Sequence, residues 1–356
     1  MDDEKFERMR AEYNSHIARK LMFIIVCIAF MVLMVAVSVN IGGYQISFVE
    51  VYTTIFDHIM GVVPEEYSKE WYDYQIVWNN RLPRILFAIL AGIGLAVSGA
   101  TMQSVMKNPL AEPYTTGVSA GACFGVALSM VLGVSLLPSL NMGFEAFIMA
   151  LIPVGIIIIM SPKLNNSVAT VILIGTALTY MFNAFSTFLL VTTDSETLAA
   201  IYKWQVGSFT NISWEQLALI ALFVIAGTII IEVLSHKLNI MTLGDNAAQS
   251  LGVNVRRIRM LCLLVMAVMV ACIVTYAGII GFVGLICPHM IRLIIGSDNR
   301  FLIPAASAFG AAFLLFADSV AKWLSSMDSV PVGVITGLVG APLFLFILIR
   351  NRRGIW

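Results

Sequence analysis

The chain has 356 residues, of which 59% are hydrophobic and only 12% charged, and its mean hydropathy is +0.91. Soluble globular domains carry about 25% charged residues, so this composition excludes a soluble protein and indicates one embedded in a membrane. The 21 Lys and Arg balance the 21 Asp and Glu, and we expect lipid, not nucleic acid, around the chain.

Ten apolar segments are each long enough to cross a bilayer as a helix, which takes about 20 residues. The alternating pattern of a β-barrel is absent, and helices and closed barrels are the structures that span membranes. The fold class is therefore an all-α integral membrane protein, a polytopic bundle of about ten transmembrane helices. The predicted spans are 21–39, 85–106, 114–137, 144–160, 168–191, 214–234, 258–276, 279–295, 301–324 and 332–349.

These spans form one membrane domain, 21–350, between a charged N-terminal tail, 1–20, and a C-terminal tail, 351–356. The tail 1–20 has the composition of a surface helix. The first long connection, 41–80, is polar, but its apolar residues recur at helical spacing and predict a surface helix in part of it.

Two later connections have their own patterns. The segment 192–213 is polar with embedded aromatic residues (Tyr202, Trp204 and Phe209), which favour the membrane–water boundary. It predicts an interfacial loop. Spans seven and eight are joined with almost no polar residues, and Ala277-Gly278 is the expected helix break between them.

Cysteines and histidine give no sign of a metal site. The five cysteines all lie in apolar stretches without a Cys-x-x-Cys pair, so we expect neither a metal site nor a disulfide framework. His289 lies alone in an apolar span, and we expect it to be packed and hydrogen-bonded in the core rather than a metal or haem ligand. The cysteines are Cys27, Cys123, Cys262, Cys272 and Cys287.

The distribution of positive charge predicts the orientation. With ten spans both termini lie on one side, and the connections on that side hold 16 of the 21 Lys and Arg, against five on the other. Cytoplasmic loops carry the excess of positive charge. Both termini and the polar stretch 243–259 are therefore predicted to face the cytoplasm.

The stretch 243–259, LGDNAAQSLGVNVRRIR, separates two long apolar segments. Its pattern predicts a helix–turn–helix that projects from the membrane domain and offers a surface to another protein. An ordinary solvated loop is the alternative.

Five motifs in order carry a resemblance to a known family. They are Arg81-Leu-Pro-Arg84, Asn108-Pro-Leu-Ala-Glu-Pro113, LGDNAAQSLGV at 243–253, GFVGLICPH at 281–289, and Pro331-Val-Gly-Val with Gly340-Ala-Pro342. From residue 81 onwards the chain resembles the FecCD-type permeases, the transmembrane subunits of type II ABC importers. That family carries iron–siderophores, haem and vitamin B12.

The resemblance implies a coupling loop that docks in a cleft of an ATPase subunit. Asn246 stands where the best-known version of this loop has Glu. The implied coupling residues are Gly244, Asp245, Asn246, Ala247, Ala248, Leu251, Gly252, Arg256 and Arg257.

It also implies two further sites. Outer arginines of the family receive glutamates of a substrate-binding protein, and the matching residues are Arg81, Arg84 and Lys322; helix-end anchoring at lipid headgroups is the alternative. Asn108 and Leu110 lie where the family has a cytoplasmic gate, with a plain turn as the alternative.

Asp318 and Lys322 share one helix face and predict a structural ion pair. The family's usual Glu two residues before the proline of span ten is replaced by Ser329, next to Asp328.

The predicted function is the permease subunit of an ATP-driven importer of a metal chelate, most simply an iron–siderophore, with corrinoid or haem next. Its partners would be a second copy of itself or a close paralogue, two ABC ATPase subunits and an extracytoplasmic binding protein. No Gly-Lys phosphate-binding loop occurs in the sequence, so we expect a non-catalytic chain without cofactor, ATP and Mg being bound by the partner ATPase.

Two other functions are compatible with a polytopic membrane protein. An ion-gradient-driven transporter would use acidic residues within spans, which are few here. A receptor or membrane scaffold would have no use for a gate-like turn together with a coupling loop.

Overall fold

The computed structural model describes residues 3–133, 142–164, 167–210, 212–324 and 330–350. The regular structure in these ranges is helical. The helices are α1 (Asp3–Ser38), α2 (Phe48–Ile59), α3 (Lys69–Ile76), α4 (Leu82–Met106), α5 (Val118–Leu132), α6 (Met142–Met160), α7 (Val168–Val191), α8 (Ser195–Gln205), α9 (Trp214–Val233), α10 (Ser235–Thr242), α11 (Asp245–Ser250), α12 (Val255–Ala277), α13 (Val283–Ile295), α14 (Asn299–Leu324) and α15 (Val332–Arg350).

The predicted ten-span helical bundle is confirmed. Seven of the described helical segments are long and apolar enough to cross a membrane, and three shorter apolar helices (α5, α13 and most of α15) coincide with predicted spans three, eight and ten. The end of predicted span three (134–137), Asp328, Ser329 and the C-terminal tail 351–356 lie outside the described residues.

The N-terminal tail belongs to the same helix as the first span. Helix α1 runs without interruption over 36 residues, which corresponds to about 54 Å at 1.5 Å per residue. That length exceeds the roughly 30 Å hydrocarbon core of a bilayer. The charged tail therefore extends the first membrane helix beyond the apolar layer.

Helix α4 is the buried centre of the bundle and contacts α9, α12, α13 and α14. Its glycines allow very close approach. A Cβ on Gly99 would lie 1.8 Å from the carbonyl oxygen of Gly284 in α13, and one on Gly92 would lie 2.3 Å from that of Gly310 in α14. Small residues at such contacts are how membrane helices pack tightly without a hydrophobic driving force between them.

The two long connections contain helices. Helix α2 begins at a capping box formed by Ser47 and Glu50, and it confirms the surface helix predicted in 41–80. The expectation of a loop over 192–213 is wrong for α8. Asp194 accepts hydrogen bonds from the backbone N–H of Glu196 and Thr197, both at 2.9 Å, and this capping stabilises a helix start that the aromatic pattern did not reveal.

The predicted break between spans seven and eight is confirmed. Helix α12 ends at Ala277, Gly278 has φ +73°, and α13 begins only at Val283. Tyr114 supplies hydrogen-bond partners for the non-helical backbone of this break. Its hydroxyl donates to the Ile280 carbonyl at 3.0 Å and accepts from the Ile280 N–H at 3.3 Å. Non-helical backbone at membrane depth requires such internal partners because lipid offers none.

Candidate functional site

The predicted coupling loop has the helix–turn–helix shape expected from its sequence. Helix α10 ends at Thr242, the short helix α11 follows, and α12 begins at Val255. Gly244 joins the first two with φ +115° and ψ 152°, a conformation that favours glycine. Asn254 caps α12 by accepting from the N–H of Arg257 at 3.1 Å. The backbone of this loop is thus defined by local capping.

The loop exposes both apolar and basic side chains. Leu243 is 67% exposed and Leu251 is 61% exposed, whereas Ala248, within α11, is fully buried. Exposed apolar groups rimmed by charge are typical of protein–protein contact sites. The other exposed residues of the predicted set are Asn246, Ala247, Gly252, Arg256 and Arg257.

Asp245 attaches α11 to the rest of the protein. Its carboxylate contacts Lys107 Nζ at 2.6 Å and Arg259 Nη2 at 2.8 Å. Partial burial alone would raise the pKa of Asp245, but the hydrogen bonds from Lys107 and Arg259 outweigh burial and hold that pKa below its usual value. Lys107 is 138 positions away in the chain, so no local sequence pattern indicates this pairing.

The predicted gate is the turn after α4, which we define as residues 107–111 and call the gate turn. Lys107 has φ 50° and ψ 38°, a left-handed conformation that costs a non-glycine residue about 1 kcal/mol. Asn108 Oδ1 accepts from the Leu110 N–H at 2.9 Å. The Leu110 side chain is half exposed. Asn108 therefore shapes the turn and Leu110 projects from it, and gating stays a prediction.

A buried polar network beside this turn was not identified from the sequence. Asn239 Oδ1 accepts from both nitrogens of Asn299 at 2.8 Å, and Asn239 Nδ2 donates to Asp298 at 2.7 Å. Asn299 Oδ1 accepts from Ser104, whose oxygen accepts from Arg292 Nη2, both at 2.8 Å. The network connects α4, α10, α13 and α14, so these helix ends are expected to move as one unit.

The cations predicted to dock a binding protein form a buried cluster at the opposite end of α4. Arg84 Nη2 contacts Asp318 Oδ1 at 2.7 Å, and Lys322 Nζ contacts Asp318 Oδ2 at 3.1 Å. The predicted Asp318–Lys322 ion pair is confirmed, and Arg84 is its third member. The three side chains are 12%, 0% and 7% exposed.

Arg81 is also used within the chain. It is 5% exposed, and its guanidinium donates to the carbonyl oxygens of Val39, at 2.8 Å, and Tyr44. These bonds hold the end of α1 against α4. The guanidinium groups of both Arg81 and Arg84 face internal acceptors. Docking by these residues stays a prediction.

His289 is fully buried, as expected, with its ring 5.9 Å from that of Phe344. Within the described residues its ring nitrogens have no hydrogen-bond partner, so the expectation that it is hydrogen-bonded is wrong there. Its environment is that of a packed core residue.

Comparisons with known proteins agree with this architecture. The sequence profile of the FecCD transport family matches residues 24–350. The hemin transport system permease protein of Yersinia pestis is 36% identical over 345 residues, which are 96% of this chain and 98% of that protein. The vitamin B12 import system permease protein of Vibrio cholerae is 36% identical over 79% of this chain and 84% of that protein.

A solved structure is also similar. A metal-chelate type ABC transporter in an inward-facing conformation superimposes with a TM-score of 0.80 at 31% sequence identity, covering 92% of this chain and 98% of that one. At this level of identity and coverage, both the fold and the order of helices are shared.

Proposed function

Because the chain belongs to the FecCD transport family, we propose that it is the permease subunit of an ATP-driven importer that moves a metal chelate into the cytoplasm. Two copies, or one copy and a close paralogue, would enclose the path. Two ATPase subunits would bind the 243–259 loops, and an extracytoplasmic binding protein would deliver the cargo. ATP binding and hydrolysis would bias the permease between outward-facing and inward-facing states.

The observation that carries this proposal is the structure of the 243–259 loop, which contains α11. It exposes Leu243, Leu251 and two arginines while ion pairs hold its base to the membrane domain. A loop that only connected α10 to α12 would need neither feature. The bias of positive charge supports a cytoplasmic position for this loop and both termini, where an ATPase could reach the loop.

The cargo is proposed from the relatives. The similar proteins named above carry hemin and vitamin B12, and the similar structure is of metal-chelate type. We propose an iron–siderophore first and a corrinoid or haem next, since all are bulky metal chelates that one wide path would admit.

An ion-gradient-driven transporter is the second candidate. Such proteins keep acidic residues available within their spans. Here Asp318 is fully buried and is paired with two cations, so it is poorly suited to bind and release an ion during each cycle. This pairing favours the ATP-driven reading.

Subunit composition tests the proposal. The chain is expressed with its genomic neighbours, extracted in detergent and analysed by native mass spectrometry. We expect two permease and two ATPase copies, with the ATPase lost when residues 246–252 are replaced by a Gly/Ser linker. The matched control replaces the outer connection 62–67 in the same way and should keep the ATPase.

Uptake by proteoliposomes then separates the two candidates. Accumulation that requires ATP and persists with a protonophore and a sodium ionophore supports the importer. Accumulation that follows a proton or sodium gradient without ATP would replace it with the gradient-driven transporter.

A further inference from the structure

Lys107 occupies a position where glycine is favoured. It follows the last residue of α4 with φ 50° and ψ 38°, and helices commonly end with a glycine in this left-handed conformation. A lysine here makes the backbone less stable than glycine would. The side chain should therefore contribute something that offsets this cost.

An ion pair between the Lys107 side chain and Asp245 can offset this backbone cost. Lys107 Nζ lies 2.6 Å from Asp245 Oδ1, at the first residue of α11. This contact connects the gate turn to another part of the protein. The hydrogen bond of Asn108 Oδ1, in contrast, stays within the turn, because it accepts from the Leu110 N–H. The ion pair joins the gate turn directly to the helix at the tip of the predicted coupling loop.

The two cations that share Asp245 differ in burial. Arg259 belongs to α12 and its side chain is fully buried, whereas Lys107 belongs to a turn and its side chain is 27% exposed. Removal of Lys107 would leave Asp245 paired with Arg259, so α11 would stay attached to α12. The Lys107–Asp245 pair can therefore be broken without releasing α11 from the membrane domain.

We propose that Lys107 is a positioning residue that makes the gate turn follow α11, so that a displacement of α11 by its partner is passed to Leu110. This inference rests on the proposed function, in which an ATPase moves α11. Coupling between two sites is a free energy, and here the Lys107–Asp245 contact would carry it between α11 and the gate turn. Packing of α10 against α4 supports the same region.

Lys107→Gly gives a sharp test because it should relax the backbone while removing the contact. In complexes with the ATPase and binding protein in proteoliposomes, we expect normal assembly and an unfolding temperature equal to or above that of the unchanged protein. Cargo imported per ATP hydrolysed should fall about tenfold, within the usual range of coupling effects. The chelate used as probe is the one that the unchanged complex imports.

Two variants serve as controls. Lys107→Arg keeps the positive charge and the left-handed backbone, and should restore most of the import per ATP. Lys163→Gly removes an exposed lysine from the neighbouring turn between α6 and α7 and should leave the ratio unchanged.

The outcomes separate the positioning role of Lys107 from the proposed importer function. If Lys107→Gly imports normally per ATP, or if it fails to assemble or unfolds at a lower temperature, the positioning role is overturned and the importer function stands. If the unchanged complex binds no ATPase or needs no ATP, the proposed function itself fails and this inference fails with it.

Discussion

Arg84 and Asp318 are 234 positions apart in the chain and form an ion pair in which Nε, at 3.0 Å, and Nη2, at 2.7 Å, both donate to Oδ1. The other carboxylate oxygen of Asp318 contacts Lys322 at 3.1 Å. One fully buried carboxylate thus compensates two cations. This arrangement connects α4 to α14 at the end of the bundle where the binding protein is proposed to dock.

Asp318→Asn should strongly destabilise the protein. It leaves Arg84 and Lys322 with little compensation in a region of low dielectric constant, and breaking a buried pair typically costs about 3–5 kcal/mol. Thermal unfolding in detergent, followed by Trp fluorescence, measures the loss. The control is Glu50→Gln, which breaks the exposed Glu50–Lys69 pair and should barely change the unfolding temperature. Equal effects of the two substitutions would contradict the structural role of Asp318.

Gly99→Ala should separate two helices of the core. The added Cβ would lie 1.8 Å from the Gly284 carbonyl oxygen, and because that atom belongs to the backbone, α4 and α13 must move apart. Overpacking of this kind costs about 1–3 kcal/mol or more. Gly155→Ala in α6 meets no atom within 4 Å and should be neutral or stabilising by up to about 1 kcal/mol. The comparison is made by thermal unfolding, and a harmless Gly99→Ala would refute the close contact.

Tyr114→Phe should destabilise the break between α12 and α13. Without the hydroxyl, the N–H and carbonyl of Ile280 both lose a partner, and an unsatisfied buried polar group costs about 1–3 kcal/mol. Tyr180→Phe is the matched control, because Tyr180 is exposed on α7 and no hydrogen bond from its hydroxyl is seen in the described ranges. Hydrogen exchange at 278–282, measured by mass spectrometry, should speed up in Tyr114→Phe alone. Unchanged exchange there would count against this role.

The Asp245 ion pairs should depend on pH in a defined direction. The pKa of Asp245 is lowered in the folded protein, so its charge favours folding above the unfolded value of about 3.9 and that contribution is lost as the pH falls through the lower folded value. The unfolding temperature of the unchanged protein minus that of Asp245→Asn should be constant from about pH 8 to 5 and should shrink below about pH 4. A difference that grew on acidification would contradict the pairing.

The sequence was most informative where the signal is local. Apolar run lengths predicted the ten spans, Ala277-Gly278 predicted the break before α13, and the pattern of 243–259 predicted a projecting helix–turn–helix. Asp318 and Lys322, four residues apart, also predicted their own ion pair. In each case the residues that determine the feature are neighbours along one helix or one turn. Helix α8 was not predicted because the aromatic residues of 192–213 were interpreted as signs of an interfacial loop. The helix start at Asp194 was not recognised.

By itself, the sequence determined that this is a multi-pass helical membrane protein of a recognisable transport family, and it located the loop that a partner is proposed to bind. Only the tertiary structure decided which charges are paired: Arg84 with Asp318, Lys107 with Asp245, and Arg81 with backbone carbonyls. The physical reason is that such contacts join residues far apart in the chain, and their distances depend on how each helix is rotated and packed. A motif fixes the residue types, whereas helix packing decides whether a cation faces a partner, water or another part of its own chain.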